Sequence, residues 1–510
     1  MDFTGRHVDS AHPTRAIAPS RGRAGWQPST PKGGLYPRTI GENAVILGAG
    51  IAGLLAAAAL CAFYNSVIAV ERDALLDRPA PRRGVPQGRH LHMLLSRGAP
   101  VMAELFPGLL DKLTAAGAVV FDDGDLSQLY ARIGRYELKR SGALADPAAL
   151  AVHLASRPFP EFQLRRRVAA LGNVRILDRH DVVEPVTADA AVVGVRIINR
   201  NNGLYNTLAA DLVIDAMGRA ARTPTFLAEL GYGHPPAKRS EVSVAYSSQP
   251  LSIPQGCIAE RLALFNHGIN KHRGLPMACE HDTWMLAIGH SAKAGRPPAN
   301  FTEMLALAEQ SLPASIMAGL GKAQPLGRTA IMRNATAVWR RFDQMPRFPS
   351  GLLVIGDALR SLDPTYGQGM TMAALQAMTL RNCLQSGATD LAPRFFSATA
   401  RQIGPTWVAN QVRDRMLSPT SQPHSLRQRV MGWTAQAALN AAGNDIIVTE
   451  RFLRVMNLID SPARLQDLRL LPRILAINAR SHRISKRPNL IQFRHSVLTR
   501  SRKEARHAYH

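Results

Sequence analysis

The sequence predicts an α/β fold, in which a parallel sheet carries an inserted, mostly antiparallel sheet and is followed by a helical C-terminal region. Three short apolar runs end in an acidic residue, at Glu71, Asp215 and Asp357, which is typical of buried parallel strands. Residues 240–341 contain longer strand patterns separated by turns, which predicts the antiparallel insertion. From Pro393 onward the apolar residues follow helical spacing, which predicts the C-terminal helices.

The first element is the segment Ala44–Asp73, whose pattern indicates a strand, a loop, a helix and a second strand. Its glycines follow the first apolar run in G-x-G-x-x-G spacing, which gives a tight turn, a close approach of a pyrophosphate, and close packing of the helix on the strand. The helix N-terminus offers free N–H groups to phosphates, and an acidic residue about 20 positions further on accepts hydrogen bonds from a ribose. We interpret the segment as a Rossmann-type dinucleotide site with these candidate cofactor-binding residues: Gly48, Gly50, Ile51, Ala52, Gly53, Glu71 and Arg72.

The next segments are punctuated by glycine and proline. Arg82–His92 is a basic loop, and Ser96–Ala116 predicts a helix that a proline interrupts. Asp146–Arg167 predicts helix at both ends with prolines between them. Arg175–Leu177 and Val192–Ile198 alternate like two strands on either side of a polar turn.

Two further strand ends carry acidic residues. Asp211–Arg222 is a buried strand followed by a glycine turn, and Leu352–Ala374 is a buried strand followed by a glycine-rich loop and a helix. Open α/β sheets bind ligands at the carboxyl ends of their strands, and a helix N-terminus attracts negative charge. The candidate cofactor-binding residues in these two segments are Asp215, Gly218, Gly356, Asp357, Pro364, Gly367, Gly369 and Met370.

These patterns divide the chain into four parts. We predict a disordered basic extension over residues 1–42 and a helical region with a basic tail over residues 411–510. Between them, a discontinuous nucleotide-binding domain comprises residues 43–95, 150–235 and 345–410, and a substrate domain comprises residues 96–149 and 236–344. We expect the residues that select the substrate to lie within 240–341. There, Met277, Trp284 and Met285 either line an apolar pocket or pack in the core.

Much of the formal charge of +25 lies at the end of the chain, where Arg464–His510 carries twelve Lys and Arg residues. Within it, Arg464–Ile484 has leucines at helical spacing, although Pro472 interrupts the pattern. A basic tail with leucines favours contact with an anionic membrane surface, and a solvated basic tail explains the same pattern. Aromatic residues are sparse in it, which argues against nucleic acid as a partner.

The sequence carries no sign of a secretory signal, since its first 40 residues contain no long apolar run, and we expect a cytoplasmic protein. Ala44–Phe63 is apolar and about long enough to span a bilayer, but its glycine pattern favours a buried Rossmann element. The four cysteines are scattered, which fits a reducing compartment and predicts no metal site.

Taken in order, the motifs GxGxxG…Glu, DxxxDAxGR and GD…DPxxGxGM over residues 43–410 resemble the flavoprotein monooxygenases of the para-hydroxybenzoate hydroxylase type. In that family the first motif holds the ADP half of FAD. The aspartate that matches Asp357 bonds the ribityl chain, and the loop that matches Pro364–Met370 puts a helix N-terminus at the N1–C2=O edge of the flavin. The resemblance implies FAD as the cofactor, and a helix dipole at that edge would stabilise the charge of reduced flavin.

Further segments, GVPQGRHLHMLL, ELFPG, GKAQPL and GLLVIGDA…PTYGQGM, resemble the bacterial flavin epoxidases of polyether-antibiotic assembly. The resemblance implies a FAD-dependent monooxygenase of secondary metabolism. Such an enzyme transfers one oxygen atom of O2 from a flavin C4a-hydroperoxide to an apolar small molecule, by epoxidation or hydroxylation. The sequence has no second GxGxxG, so that NAD(P)H would bind transiently as the reductant or be replaced by a partner flavin reductase.

The resemblance also implies roles outside the main motifs. Arg89, His90 and Tyr366 become candidate catalytic residues, and Arg157 matches a cofactor-binding arginine. Asp363 departs from the family, which has asparagine at that position. We predict no side-chain general base, because epoxidation by a flavin needs none, whereas aromatic hydroxylation usually requires deprotonation of a phenol.

Other activities share this kind of scaffold, since a fold does not set the chemistry. A flavin-dependent isoprenoid reductase or cyclase, and a cofactor-free chaperone of the GDI kind, are the alternatives. A flavin halogenase would carry a W-x-W-x-I-P signature, whereas the tryptophans here are isolated: Trp26, Trp284, Trp339, Trp407 and Trp433.

Overall fold

A computed structural model describes residues 39–240, 244–267, 272–291, 295–333, 336–416 and 426–485. Most of the predicted N-terminal extension and the end of the basic tail lie outside these residues. Within them, the strands in chain order are β1 (Gly41–Leu47), β2 (Tyr64–Val70), β3 (Met93–Leu94), β4 (Val119–Phe121), β5 (Leu129–Ile133), β6 (Tyr136–Glu137), β7 (Val152–Leu154), β8 (Val174–Leu177), β9 (His180–Ala188), β10 (Ala191–Asn199), β11 (Tyr205–Ala209), β12 (Leu212–Asp215), β13 (Ala237–Arg239), β14 (Val244–Ser252), β15 (Leu262–Asn266), β16 (Arg273–Ala278), β17 (Thr283–Ser291), β18 (Gln324–Pro325), β19 (Ala330–Met332), β20 (Val338–Arg340), β21 (Leu352–Val354) and β22 (Arg360–Ser361).

The helices of the same residues are α1 (Ile51–Leu60), α2 (Gly98–Leu105), α3 (Leu109–Ala115), α4 (Pro158–Ala169), α5 (Thr223–Glu229), α6 (Phe301–Glu309), α7 (Ala314–Leu320), α8 (Gly369–Gln385), α9 (Leu391–Met416), α10 (Leu426–Ala442), α11 (Ile446–Met456) and α12 (Leu471–Ser485). Among the described helices, none is both long enough and apolar enough to span a membrane. The apolar stretch Ala44–Phe63 forms most of β1 and all of α1, and most of it is buried.

The nucleotide-binding unit is built on a five-stranded sheet in the order β21-β12-β1-β2-β8, with every pair parallel. Its central strand β1 is a run of branched side chains, of which Val45 and Ile46 are fully buried. The helices α1 and α8 are among the elements packed against this core. The three strand ends that were predicted from Glu71, Asp215 and Asp357 all belong to this sheet, so the predicted α/β fold is confirmed.

The second large sheet has eight strands in the order β18-β14-β17-β16-β15-β5-β6, with β19 also paired to β14. It is antiparallel except where β15 runs parallel to β5. The predicted antiparallel insertion is thereby confirmed. β5 and β6 come from an earlier part of the chain than the other strands, so residues 129–137 extend the sheet formed by residues 244–332.

Two local predictions are wrong. Asp146–Arg167 contains the strand β7, and its prolines Pro158 and Pro160 stand in the first turn of α4. Proline is tolerated there because the first N–H groups of a helix have no partner within the helix. For the same reason Pro472 lies at the start of α12 and does not interrupt it.

The C-terminal helices α10, α11 and α12 pack on the β5–β6 end of the large sheet. Small and branched side chains make this core, whose buried members include Ala131, Leu138, Ala441, Val448 and Ile474. Asn478 of α12 donates a hydrogen bond to the Ala437 carbonyl of α10, which ties the two helices together. The C-terminal region therefore covers one face of the sheet at this end.

Candidate functional site

The glycine loop between β1 and α1 depends on the absence of side chains. Gly48 has a φ of 100°, which L side chains rarely adopt. A Cβ on Gly53 would lie 1.9 Å from the Gly48 carbonyl oxygen. The backbone of the first turn of α1 therefore packs directly against the backbone of the loop. The ten-residue helix α1 begins where the loop ends, so its N-terminal N–H groups face the loop.

Glu71 and Arg82 stand beside this loop. One Glu71 carboxylate oxygen accepts the Ala49 N–H at 3.0 Å, and the other lies 2.7 Å from the Arg82 guanidinium. Arg82 Nη2 is buried without a hydrogen-bond partner among the described residues. This nitrogen lies 3.8 Å from the position that a Cβ on Gly50 would take.

An anion at the glycine loop would give that buried nitrogen a partner. A carboxylate oxygen can accept a second hydrogen bond, so the Glu71 oxygen that holds Ala49 can also accept a ribose hydroxyl. The loop, the arginine and the carboxylate thus fit the ADP half of a dinucleotide. Arg82 would hold the pyrophosphate, a role that our sequence predictions had not assigned to it.

Arg82 belongs to a buried ion cluster. Glu161 of α4 accepts a hydrogen bond from Arg82 at 2.8 Å and lies 2.7 Å from Arg157. Burial disfavours the charged form of Glu161, but Arg157 and Arg82 outweigh it and lower its pKa. The predicted cofactor-binding residue Arg157 is therefore a member of this cluster, and the carboxylate of Glu161 fixes both arginines.

The two strand-end aspartates have different surroundings. Asp357 follows β21 in a half-buried position, where burial raises its pKa against the opposing effect of several arginines, Arg219 first. Asp215 is fully buried, accepts hydrogen bonds from the Met217 N–H and the Thr223 hydroxyl, and has its pKa raised to about 6 by burial. The Asp215 side chain therefore stabilises the turn leading to Gly218, and its contact with the cofactor stays a prediction.

A second glycine loop precedes the 17-residue helix α8. Gly356 and Gly367 have φ values of 67° and 62°, and a Cβ on Gly356 would lie 2.6 Å from the Ala52 side chain. Gln376 of α8 accepts the Gly356 N–H at 2.6 Å. The structure thus brings the residues after β21 against the start of α1, with Pro364, Gly369 and Met370 completing the loop and the first turn of α8.

A cavity of about 1890 Å³ lies next to this loop, where Pro364, Tyr366 and Gly367 form part of its wall. This volume exceeds the roughly 300–1,000 Å³ of ordinary small-molecule pockets. Its floor is the large sheet, in which one transverse row of residues crosses six strands: Tyr246, Gly289, Arg273, Asn266, Ile133 and Tyr136.

The C-terminal helices provide the opposite wall. Among the cavity-lining residues of α9, α10, α11 and the segment after them are Val408, Trp433, Leu439, Phe452, Met456 and Leu465. Val408 and Trp433 are 58% and 57% exposed, which places them at an opening to solvent. The sequence predicted that the residues selecting the substrate lie within 240–341, and this was incomplete, because about three quarters of the residues that line the described cavity come from other segments.

The candidate catalytic residues separate into two groups. His90 and Tyr366 line the cavity and are buried. His90 Nδ1 lies 2.9 Å from the Ser248 hydroxyl, and burial together with the charge of Arg89 lowers the pKa of His90 to about 4. Arg89 itself is exposed and does not contribute to the described cavity wall.

Other predicted residues also lie apart from the cavity. Arg72 is exposed and lies 3.5 Å from Asp181. Met277 and Met285 pack in the core, so the simpler of the two interpretations applies to them. No group of three or more His, Cys, Asp or Glu residues suited to a metal ion occurs in the described part of the chain.

Two contacts beside the loop had no sequence signal. Asn410 of α9 donates to the Gln368 side chain at 2.9 Å, which fixes the loop from the helical side. Tyr246 of β14 donates to the carboxylate of buried Asp363 at 2.5 Å. Tyr246 and Asp363 are 117 positions apart, and only the tertiary fold brings them together. The departure at Asp363 could have drawn attention to this place, but not to its partner.

Comparisons with known proteins agree with this geometry. A profile of the family described as FAD binding domain matches residues 42–394. Protein Rv3254 of Mycobacterium tuberculosis (strain ATCC 25618 / H37Rv) is 39% identical over 451 residues, which cover 86% of this chain and 94% of that protein.

Solved structures of similar fold include the flavin-dependent brominase Bmp2, with a TM-score of 0.60, 15% identity, and coverage of 88% of this chain and 100% of that chain. The p-nitrophenol 4-monooxygenase PnpA from Pseudomonas putida DLL-E4 has a TM-score of 0.58 and 16% identity, over 83% and 99%. The probable FAD-dependent monooxygenase pqsL from Pseudomonas aeruginosa has a TM-score of 0.55 and 15% identity, over 82% and 99%. At such identities the likeness shows the fold.

Proposed function

This chain belongs to the FAD-binding domain family, and from that premise we propose that it is a FAD-dependent monooxygenase acting on a large apolar substrate. One observation carries the proposal. The cavity of about 1890 Å³ opens at Val408 and Trp433 and reaches the loop at Pro364–Gly367, where the resemblance puts the flavin ring. A mostly apolar wall accepts an apolar substrate and excludes water from the reacting centre.

The residues around the loops would divide the work between them. Gly48–Gly53, Arg82 and Glu71 would hold the ADP half of FAD, and Asp357 its ribityl chain. The N-terminus of α8 would face the flavin ring and favour negative charge on it. Bound FAD, once reduced, supplies the transfer of one oxygen atom of O2.

The electron donor is a further part of the proposal. NAD(P)H would bind transiently or a partner flavin reductase would replace it, since the sequence carries one GxGxxG motif. Measuring FAD reduction under anaerobic conditions with NADPH, with NADH, and with an added flavin reductase separates these routes.

The test of the function uses the purified full chain. We expect a yellow protein with FAD bound, whose reduced form consumes O2 and releases hydrogen peroxide when no substrate is present. A flavin-containing protein that does not react with O2 after reduction would contradict the proposal and favour the isoprenoid reductase or cyclase. A colourless protein that does not bind added FAD would favour the GDI-like chaperone.

Halogenation is a separate outcome, because Bmp2 is a brominase of the same fold. The isolated tryptophans argue against it. Bromide added to the reaction should therefore change neither the oxygen consumption nor the yield of peroxide.

We also propose that the C-terminal segment contacts an anionic membrane surface, from which an apolar substrate could enter. Leu468 and Leu475 are 80% and 51% exposed. Arg469 and Arg473 are exposed on the same segment, and the preceding residues Ser461–Ala463, Leu465 and Gln466 contribute to the cavity wall. Exposed leucines between arginines suit the interface of an anionic bilayer.

Replacing both leucines, Leu468→Ser with Leu475→Ser, should weaken binding to vesicles of phosphatidylglycerol and phosphatidylcholine severalfold in a sedimentation assay. Leu204→Ser, at a leucine 66% exposed elsewhere on the molecule, is the matched control and should bind as the wild type does. Equal binding by all three proteins would contradict membrane contact through this segment.

A further inference from the structure

We propose that Met93 is a modification site, at which hydrogen peroxide formed inside the cavity converts the thioether into a sulfoxide. The inference rests on the proposed monooxygenase function, which supplies the peroxide whenever reduced FAD reacts with O2 in the absence of substrate. The sulfoxide lowers the affinity of the cavity for an apolar ligand. Reaction with O2 without substrate therefore impairs the enzyme for its later use.

Met93 stands against the loop that precedes α8. It belongs to β3, where it pairs with Leu154 of β7, and it lines the cavity beside Tyr366 and Gly367. A Cβ added to Gly367 would lie 3.1 Å from Met93 Cε, so the end of this side chain packs on the loop. The resemblance puts the flavin ring at the same loop. Peroxide that forms there meets the Met93 thioether before it crosses the cavity to the opening.

The other methionines of this region are less well placed. Met332 packs against Tyr246 on the floor of the cavity, and Met456 lines the opposite wall from α11. Met370 follows the loop in the chain, but it is buried and does not line the described wall. Met93 is therefore the methionine of the described wall that packs on the loop itself.

Methionine is also the sulfur side chain that peroxide can reach in this cavity. None of the four cysteines lines the described wall. Cysteine reacts as a thiolate, and burial raises the pKa of Cys61, Cys279 and Cys383, which favours the unreactive thiol. A thioether has no proton to lose, so its oxidation does not depend on ionisation.

The reaction balances with peroxide as the sole oxidant. The sulfur of Met93 attacks one peroxide oxygen, an S–O bond forms as the O–O bond breaks, and the other oxygen leaves as water after a proton shift. The sulfur loses an electron pair and the peroxide takes it up. The product is a polar sulfoxide among the apolar neighbours of Met93, which include Leu154 and Met277. Since a polar group is costly in such surroundings, an apolar ligand should bind less tightly to this wall.

The experiment detects the modification directly in the full-length holoenzyme. Its FAD is reduced by light with EDTA and 5-deazaflavin under anaerobic conditions and reoxidised with air in repeated cycles, in the presence of catalase, which removes peroxide released into solution. Mass spectrometry of tryptic peptides then measures the mass increase of one oxygen atom. The peptide His90–Arg97 has Met93 as its sole methionine. The peptide Phe342–Arg347 contains the control Met345, which is also half-buried but lies outside the described cavity wall.

We expect several times more sulfoxide at Met93 than at Met345 after the cycles. In oxidised holoenzyme treated with hydrogen peroxide in solution and no catalase, these two half-buried methionines should be oxidised to similar extents. Equal oxidation of both after the cycles, or oxidation of neither, would overturn the proposal. Peroxide release is measured in a parallel sample without catalase. Release without sulfoxide at Met93 refutes this inference alone, whereas no release contradicts the proposed function as well.

Two variants connect the sulfoxide to ligand binding. Anthraquinone serves as a large apolar probe, and its affinity for the wild type should fall several-fold after the cycles and recover after treatment with methionine sulfoxide reductases A and B. Met93→Leu, a substitution of similar volume, should keep its affinity after the cycles. Met456→Leu is the matched control on the opposite wall and should lose affinity as the wild type does. An equal loss of affinity in Met93→Leu would overturn the proposal.

Discussion

The glycine loop Gly48–Gly53 comes from one contiguous stretch of chain, whereas the cavity beside Tyr366 takes its wall from many strands, from the loop at Pro364–Gly367 and from the C-terminal helices. At the loop, backbone atoms approach one another and two charged side chains complete the site. In the cavity, side chains make most of the surface, and they lie far apart in the sequence.

This difference predicts two kinds of sensitivity to mutation. A substitution near the glycine loop places new atoms against the backbone or disturbs a buried charge. Because neither can move away, such a substitution should affect FAD binding and stability together. A change in the cavity meets open space and should affect the substrate alone. Four substitutions test this contrast, from the largest expected effect to the smallest.

Glu161→Gln should have the largest effect. It leaves Arg82 and Arg157 buried without the carboxylate between them, and breaking a buried ion pair in this way costs about 3–5 kcal/mol. Urea unfolding of the apoprotein measures this loss, and FAD binding should weaken with it. Glu184→Gln is the matched control, because its ion pair with Arg196 is half exposed and should contribute about 1 kcal/mol or less.

Gly53→Ala comes next, because its new Cβ would lie 1.9 Å from the Gly48 carbonyl oxygen. We expect a cost of about 3 kcal/mol, the upper part of the range for overpacking, and most bound FAD should be lost on purification. Gly172→Ala has nothing within 4 Å and should retain FAD. A Gly53→Ala protein with a full complement of FAD would show that the loop is looser than its contacts indicate.

The lowered pKa of His90 should make the stability of the protein depend on pH. Its pKa of about 4 in the folded protein is below the ordinary value near 6.5, so unfolding takes up a proton between these values. The contribution of His90 to the free energy of unfolding is therefore complete above about pH 6.5 and is lost as the pH falls. About 2 kcal/mol of the free energy of unfolding is lost between pH 7 and pH 5. His90→Gln should reduce the pH dependence of the urea midpoint, and the exposed control His234→Gln should not.

Ala287→Phe should have the smallest effect on the protein itself. Ala287 lies on the cavity floor, paired in the sheet with Ser248 and Leu275, and a ring there would project into the cavity. Anthraquinone binding should weaken about tenfold, which is about 1.4 kcal/mol. FAD content and stability should stay as in the wild type and in the exposed control Ala188→Phe. Loss of FAD in Ala287→Phe would remove the contrast between the two regions.

The same contrast explains what the sequence could predict. The glycine loop follows from local spacing, because Gly48, Gly50 and Gly53 act through backbone geometry that neighbouring residues determine. The parallel strands were equally readable, since burial on both faces leaves an uninterrupted apolar run. The hydrogen bonds of Asp215 to Met217 and Thr223 could not be predicted, because a strand-end carboxylate gives the same pattern whether it holds a ligand or a turn.

The cavity could not be predicted in this way. The contacts of Tyr246 with Asp363, and of α10 with β6, depend on how distant segments pack, and no local pattern records that packing. Arg82 and Glu161 were missed for a related reason, because α4 reaches the glycine loop only in the folded chain. The prolines of α4 and α12 were wrongly predicted to interrupt helices. A proline in the first turn is compatible with a helix, whereas one in the interior breaks it, and the sequence does not show where each helix begins.

The opposite wall of the cavity has an evolutionary consequence. It is supplied by consecutive helices near the end of the described chain, whereas the residues that would hold FAD lie earlier, up to the start of α8. Natural selection can therefore diversify the substrate by drift, insertion or recombination in one terminal segment while the oxidising apparatus is inherited intact. Exchanging residues 426–466 between relatives is the matching laboratory strategy for generating new specificities from a common ancestor.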